Sequence, residues 1–195
     1  MGVSRAVINT GLKRLQDRHF IEIKPRYGAF ITDYRATGDL LTMNEIINFH
    51  GGHYRISLLK SIYRVRNQIE ADIIRLAAGR HDEEGLRQAK YALARMANAE
   101  TEKDRSAEYF NFIHALAMAS ENDVYPLLVN NFKPIYLTLG RWTCENMRSA
   151  DFQREGQHLL DLVSAGQAEA AVQDNVNLIR KNYQLLSGQD DLELG

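Results

Sequence analysis

From Ile56 to about residue 186 the apolar residues recur at intervals of three and four and never settle into alternation. Ile56, Leu59, Ile62, Tyr63, Ile69, Ile73 and Leu76 form one such stripe, closed by Gly79. A strand would send alternate residues to opposite faces, whereas this spacing lines one face of a helix. Stripes of this kind are buried only against one another, so this stretch predicts an antiparallel helical bundle. Its breaks predict further helices over 82–98 and 104–120. Asn122 and Asp123 then interrupt, Pro126 suits the first turn of a fourth helix, and Pro134 lies within it. Ser149 or Asp151 is placed to cap the next, which ends near Gly166, and a last helix covers 167–186. The polar tail from Gly188 to Glu193 is expected to fray.

The first thirty-four residues read differently. Ser4 is an N-cap candidate, with Val7, Ile8, Gly11, Leu12 and Leu15 following at helical spacing. Phe20-Ile21-Glu22-Ile23-Lys24 then alternates, Pro25-Arg26-Tyr27-Gly28 supplies a turn, and Ala29-Phe30-Ile31-Thr32 returns. A helix with a polar outer face followed by a basic-tipped hairpin is the latter half of a winged helix, although an αββ corner of another fold has the same pattern. In a winged helix the helix enters the major groove and the hairpin follows the backbone. The residues placed for DNA contact are Ser4, Arg5, Asn9 and Lys13 on the helix, and Lys24, Arg26 and Tyr27 on the wing. The expected fold is thus mainly α: a partial winged helix over 1–34, a linker helix over 35–54 ended by Gly51-Gly52, and an all-helical domain over 55–188.

Composition narrows the function. Across 195 residues the formal net charge is -1, so any nucleic-acid surface must be local. Residues 1–34 are net positive, with Arg5, Lys13, Arg14, Arg18, Lys24 and Arg26 against Asp17, Glu22 and Asp33. A single cysteine, Cys144, forms no disulfide within the chain and suits a reducing cytoplasm. It has no Cys/His/Asn pattern around it that would make it a nucleophile. No apolar run is long enough to span a bilayer.

Several segments resemble one family. Gly2-Val3-Ser4-Arg5, continuing to Leu12-Lys13-Arg14-Leu15, resembles the recognition helix of GntR regulators, and residues 19–34 resemble their wing. The family module has helices ahead of this point, so the resemblance implies a winged helix that is partial here. Asn9 stands where the family usually has arginine. Thr37-Gly38-Asp39-Leu40-Leu41 is similar to the linker of fatty-acid-responsive FadR proteins. Arg66 to Glu70 with Leu76-Ala77-Ala78, the stretch Phe112 to Asn122, and Leu162 to Ala171 resemble the helical effector domain of the FadR branch. The resemblance covers about residues 2–186. It implies a homodimeric bacterial transcription regulator with operator DNA and a small-molecule effector as partners, and no enzymatic activity.

Many members of this family hold a divalent metal with one Asp and three His. Here His114 matches the first His, but Phe110, Gly156 and Leu178 occupy the other three positions, and His158 lies two residues past its mark. The resemblance therefore implies no metal and no resident cofactor. It points instead to a fatty acyl-coenzyme A as effector, with a small organic acid as the alternative. The residues offered for the effector are Arg66, Phe110, His114, Tyr136, Arg141 and Trp142, with Arg141 and Arg154 placed to meet phosphates. Each has a structural reading too: Arg66 pairs with Glu70 at i+4, His114 is a core histidine, and Tyr136 and Trp142 are core aromatics. Two other readings compete. One is a helical ligand-binding protein that no longer touches DNA. The other is a small all-α enzyme using His114 with Glu108 or Arg66, for which no nucleophile, glycine loop or metal set is present.

Overall fold

A computed structural model describes residues 2, 4–49 and 55–194. The chain divides into two compact units, Met1–Tyr54 and Arg55–Gly195.

The first unit runs α1 (Arg5–Asp17), β1 (Ile21–Lys24), β2 (Gly28–Ile31), α2 (Tyr34–Thr37) and α3 (Leu40–Phe49). Ser4 is extended and its hydroxyl accepts from the Val7 amide at 3.4 Å, so it starts α1 as expected. The two strands are antiparallel, with Ile21 opposite Ile31 and Lys24 opposite Gly28. Their turn closes through the Tyr27 amide, which donates to the Lys24 carbonyl at 3.0 Å.

The expected single linker helix is two helices. At Gly38 a Cβ would lie 2.5 Å from the Tyr34 carbonyl oxygen, so the chain turns where only glycine fits. Asp39 and Thr42 then cap each other: the Thr42 amide donates to Asp39 Oδ1 at 2.9 Å, and the Asp39 amide to Thr42 Oγ1 at 3.1 Å. The Thr42 hydroxyl also donates to the Arg18 carbonyl at 3.0 Å. Arg14 and Arg18 both pair with Glu45 at 3.3 Å. These bonds fasten α3 to the end of α1, so the segment read as a linker is folded into the first unit. The Gly51-Gly52 stop lies outside the described residues.

The second unit contains six helices among the described residues: α4 (Ile56–Arg80), α5 (Glu83–Ala97), α6 (Glu102–Ala119), α7 (Val124–Asn146), α8 (Ser149–Ser164) and α9 (Ala168–Ser187). Asp82 caps α5 through the Gly85 amide at 2.9 Å, and Thr101 caps α6 through the Asp104 amide at 3.1 Å. Neither Ser149 nor Asp151 caps α8, which starts from Arg148 without a side-chain cap. Asp151 sits inside the first turn, where it holds Arg148 at 2.7 Å and Arg154 at 2.8 Å. Helix α6 packs against α5 and α7, α4 against α9 and α6, and α8 against α5 and α9. The core is their shared apolar interior, led by Ile62, Ile73, Leu93, Phe112, Leu116, Ile135, Leu159 and Ile179.

The tail does not fray as expected. Gly188, at φ +68°, ends α9 in the left-handed region and turns the chain back. Leu192 is then buried, Asp191 accepts from the Tyr183 hydroxyl at 2.7 Å and pairs with Lys60 at 2.8 Å, and Arg64 pairs with Glu193 at 3.3 Å. Leu192 supplies the apolar anchor that the polar composition concealed. No helix of the described residues is long and apolar enough to cross a membrane.

Candidate functional site

Arg5, Asn9 and Lys13 follow one another at intervals of four along α1, which sets them on one face, and all three are exposed. Arg5, Lys13 and Arg26 enter no ion pair among the described residues, in contrast to Arg14 and Arg18, which Glu45 holds. At the wing, Lys24 pairs with Glu22 at 3.4 Å and lies 5.5 Å from the Phe30 ring centroid. Tyr27 is 82% exposed at the turn. Ser4 is the helix cap and also lies at the exposed end of this face.

In the helical unit Arg66 and Glu70 are both buried, and they pair at 2.9 Å within α4. The Tyr136 hydroxyl reaches from α7 to donate to Glu70 Oε1 at 2.6 Å, and Arg66 donates to the Tyr109 hydroxyl at 3.4 Å. The guanidinium also lies 4.4 Å from the Tyr136 ring and 5.2 Å from the Tyr63 ring. Burial penalises the Arg66 charge most, but Glu70 and then the three tyrosines together outweigh it, so Arg66 stays protonated. Burial, followed by the Glu70 charge, pushes the Tyr136 phenol well up, so it remains a donor. The result is an internally neutral cluster.

Phe110 and His114 stand one turn apart on α6 beside this cluster. The Phe110 ring is 6.0 Å from the Tyr136 ring and 5.9 Å from the His114 ring. Lys133 of α7 is exposed, and its Nζ lies 4.8 Å from the Phe110 centroid. Burial, and then the Lys133 charge, lowers the His114 pKa below the usual histidine range. Thus Arg66, Phe110, His114 and Tyr136 come together. Arg141 does not join them: it is exposed and pairs with Glu145 at 3.6 Å. Trp142 is half-buried next to it on α7. Arg154 is exposed and held by Asp151. A depression of about 420 Å³ on α8 is lined by Ala150, Gln153, Arg154, Gln157, His158 and Asp161.

Sequence reasoning missed Tyr63, Tyr109 and Lys133. Tyr63 precedes Arg66 by three, and Lys133 precedes Tyr136 by three, so helical spacing carried a signal for both. Nothing in the sequence placed Tyr109 beside α4. Several buried polar atoms find no hydrogen-bond partner among the described residues: Glu70 Oε2, Asn67 Oδ1, Asn182 Oδ1, both amide atoms of Asn175, and His114 Nε2.

The residues do not fit a metal of the kind the family resemblance brings to mind. Phe110 and Leu178 offer no donor atom, and a Cβ at Gly156 would lie 2.7 Å from Leu93 Cδ2, so α5 presses on that position. His158 pairs outward with Asp174 at 3.1 Å. Among the described residues no three His, Cys, Asp or Glu side chains gather in a metal-binding group. Cys144 is buried, and burial pushes its thiol up to about 11, which makes it a poor nucleophile.

The family model described as "FCD domain" matches residues 61–180. The chain belongs to the FCD-domain family. It is 24% identical over 178 residues to the fatty acid metabolism regulator protein of Proteus mirabilis, across 84% of this chain and 72% of that one. It is 30% identical over 152 residues to the protein of the same name from Pectobacterium carotovorum, across 75% of this chain and 59% of that one. Among solved structures, a GntR-family transcriptional regulator from Pseudomonas syringae superposes with a TM-score of 0.59 at 17% identity, across 96% of this chain and 74% of that one. A Rhodococcus structure described as a putative GntR transcriptional regulator gives 0.55 at 16%, across 95% and 81%. These show a shared fold: a wing followed by a helical bundle. The FCD match and the relatives named fatty acid metabolism regulator make this a transcription regulator of the FadR type, and GntR-family regulators share its fold. Proteins of this kind are not enzymes.

Proposed function

We propose that this FCD regulator is an effector-controlled DNA-binding homodimer of the cytoplasm, and that its effector is a fatty acyl-coenzyme A. The observation that carries the choice of effector is the commitment of Arg66. A small organic acid in the interior needs a cation with capacity to spare, and Arg66 already serves Glu70 and Tyr109. A ligand that gains instead from apolar burial suits the buried Phe110, Ile113 and Leu116 of α6 and Leu139 of α7. Each buried methylene contributes about 0.8 kcal/mol, roughly a fourfold gain in affinity. The relatives named fatty acid metabolism regulators support the same reading. Effector binding would then alter the spacing of two winged helices on two half-sites, so that DNA affinity depends on the effector.

Calorimetry with acyl-coenzyme A esters of increasing chain length tests the effector. Affinity should rise steadily with length and DNA should be released or captured in parallel. Flat affinity along the series excludes an acyl chain as the recognised group.

A further inference from the structure

We propose that Lys133 and His114, both set against the Phe110 ring, form an anion-binding site on the paired helices α6 and α7 for the carboxylate or phosphate of an amphiphilic ligand. The site deepens the acyl-coenzyme A reading and rests on it for the apolar part of the ligand.

The case begins with what Lys133 lacks. Several exposed cations of the helical unit are matched: Arg141 by Glu145, Arg154 by Asp151, Arg95 by Glu108, and Lys181 by Glu155. Lys133 has no carboxylate partner among the described residues, and its recorded neighbour is an aromatic face at 4.8 Å. That contact is weak at an exposed position and leaves the ammonium free to donate three hydrogen bonds. His114 contributes a second unmet demand. Its Nε2 is shielded from water and finds no hydrogen-bond partner among the described residues. A buried polar atom of this sort is expected to be met by water or ligand.

Together the two side chains offer one full positive charge, an imidazole able to donate, and an aromatic plate. The group that satisfies both at once is an anion. An apolar substituent on it would run from Phe110 toward Tyr136, whose rings are 6.0 Å apart, and away from solvent. The neutral Arg66–Glu70 pair behind them adds no competing charge. This places the charged end of an amphiphile at Lys133 and its apolar end inward.

Calorimetry on the full chain tests this with three probes of one alkyl length: sodium octanoate, octanoyl-coenzyme A and octanol. Lys133 is exposed, so Lys133→Met should keep the unfolding midpoint of the parent. It should weaken binding of at least one of the two anions by about tenfold, the scale of a lost charge-assisted hydrogen bond, and leave octanol unchanged. Lys133→Arg should restore most of the loss, and His114→Leu should weaken the same anion. A loss confined to octanoate assigns a carboxylate, and one confined to octanoyl-coenzyme A assigns a phosphate. Equal losses for octanol, no dependence of either anion on Lys133, or no binding of either anion to the parent protein overturns the site. Binding of octanoate that depends on Lys133, without any binding of octanoyl-coenzyme A, upholds the site and overturns the coenzyme reading.

Discussion

The Tyr136 hydroxyl donates to Glu70 Oε1 at 2.6 Å and so ties α7 to α4 through the carboxylate that Arg66 also holds. Such a cluster is costly to assemble, because two charges leave water, and costlier to break halfway. Its members are mutually dependent. Glu70 keeps Arg66 charged in the interior, and Tyr136 and Tyr109 meet hydrogen-bonding capacity that the pair alone leaves over.

Removing one member should therefore cost more than removing the pair. Arg66→Met is expected to destabilise the helical unit by about 3–5 kcal/mol by stranding the Glu70 charge. The double variant Arg66→Met/Glu70→Leu should lose far less than the sum of the two single changes. Urea unfolding followed through Trp142, the chain's single tryptophan, reports on this unit. Additive losses would show that the pair is not coupled.

The six helices of the second unit were legible because their apolar stripes are long and are broken by glycines or short polar stretches. The α2–α3 break was not, since it depends on Gly38 approaching the Tyr34 carbonyl and on the reciprocal capping of Asp39 and Thr42. At the site, the Arg66–Glu70 pair was legible as an i,i+4 spacing within one helix. What linked it to Tyr109 and Tyr136 was not, because contact across helices depends on how α6 and α7 rotate against α4. Arg141 shows the converse. It lies five residues beyond Tyr136 on α7, and that offset turns it to the exposed side, where Glu145 meets it.

Asn175 is fully buried, and both its amide atoms lack partners among the described residues. An orphaned polar group costs about 1–3 kcal/mol. Asn175→Leu, with the same number and branching of side-chain heavy atoms, should be neutral or stabilising by up to about that amount if the site is dry and takes the bulkier methyl groups. A clear loss of stability in urea would instead reveal a water or ligand bonded to the amide.

His114 should make stability depend on pH. Its folded pKa lies below the ordinary value of 6.5, through burial first and Lys133 second. The unfolded chain therefore takes up a proton before the folded one does. The contribution to stability is complete above about pH 6.5 and declines as pH falls from there toward the lower folded pKa. Urea midpoints between about pH 7 and pH 5 should fall less steeply for His114→Gln than for the parent. Equal slopes would mean that His114 titrates in the fold as it does in the open chain.

The last prediction concerns the wing. Arg26 follows Pro25 in the turn and has φ +70°, a left-handed conformation that costs an L residue about 1–2 kcal/mol. Glycine or asparagine would take this place without that strain. The arginine is also exposed and free of any ion pair among the described residues, as a residue meeting a DNA phosphate would be. Arg26→Gly separates the two effects. It should relieve the turn, raising or preserving the stability of the hairpin. It should also remove one phosphate contact, weakening binding to duplexes of any sequence and reducing the slope of log affinity against log salt by about one. Arg5→Ala, on the face proposed to meet base edges, should weaken binding chiefly to the operator. Gel shifts with the regulator across a salt series check both. An unchanged slope for Arg26→Gly would place that arginine away from the DNA backbone.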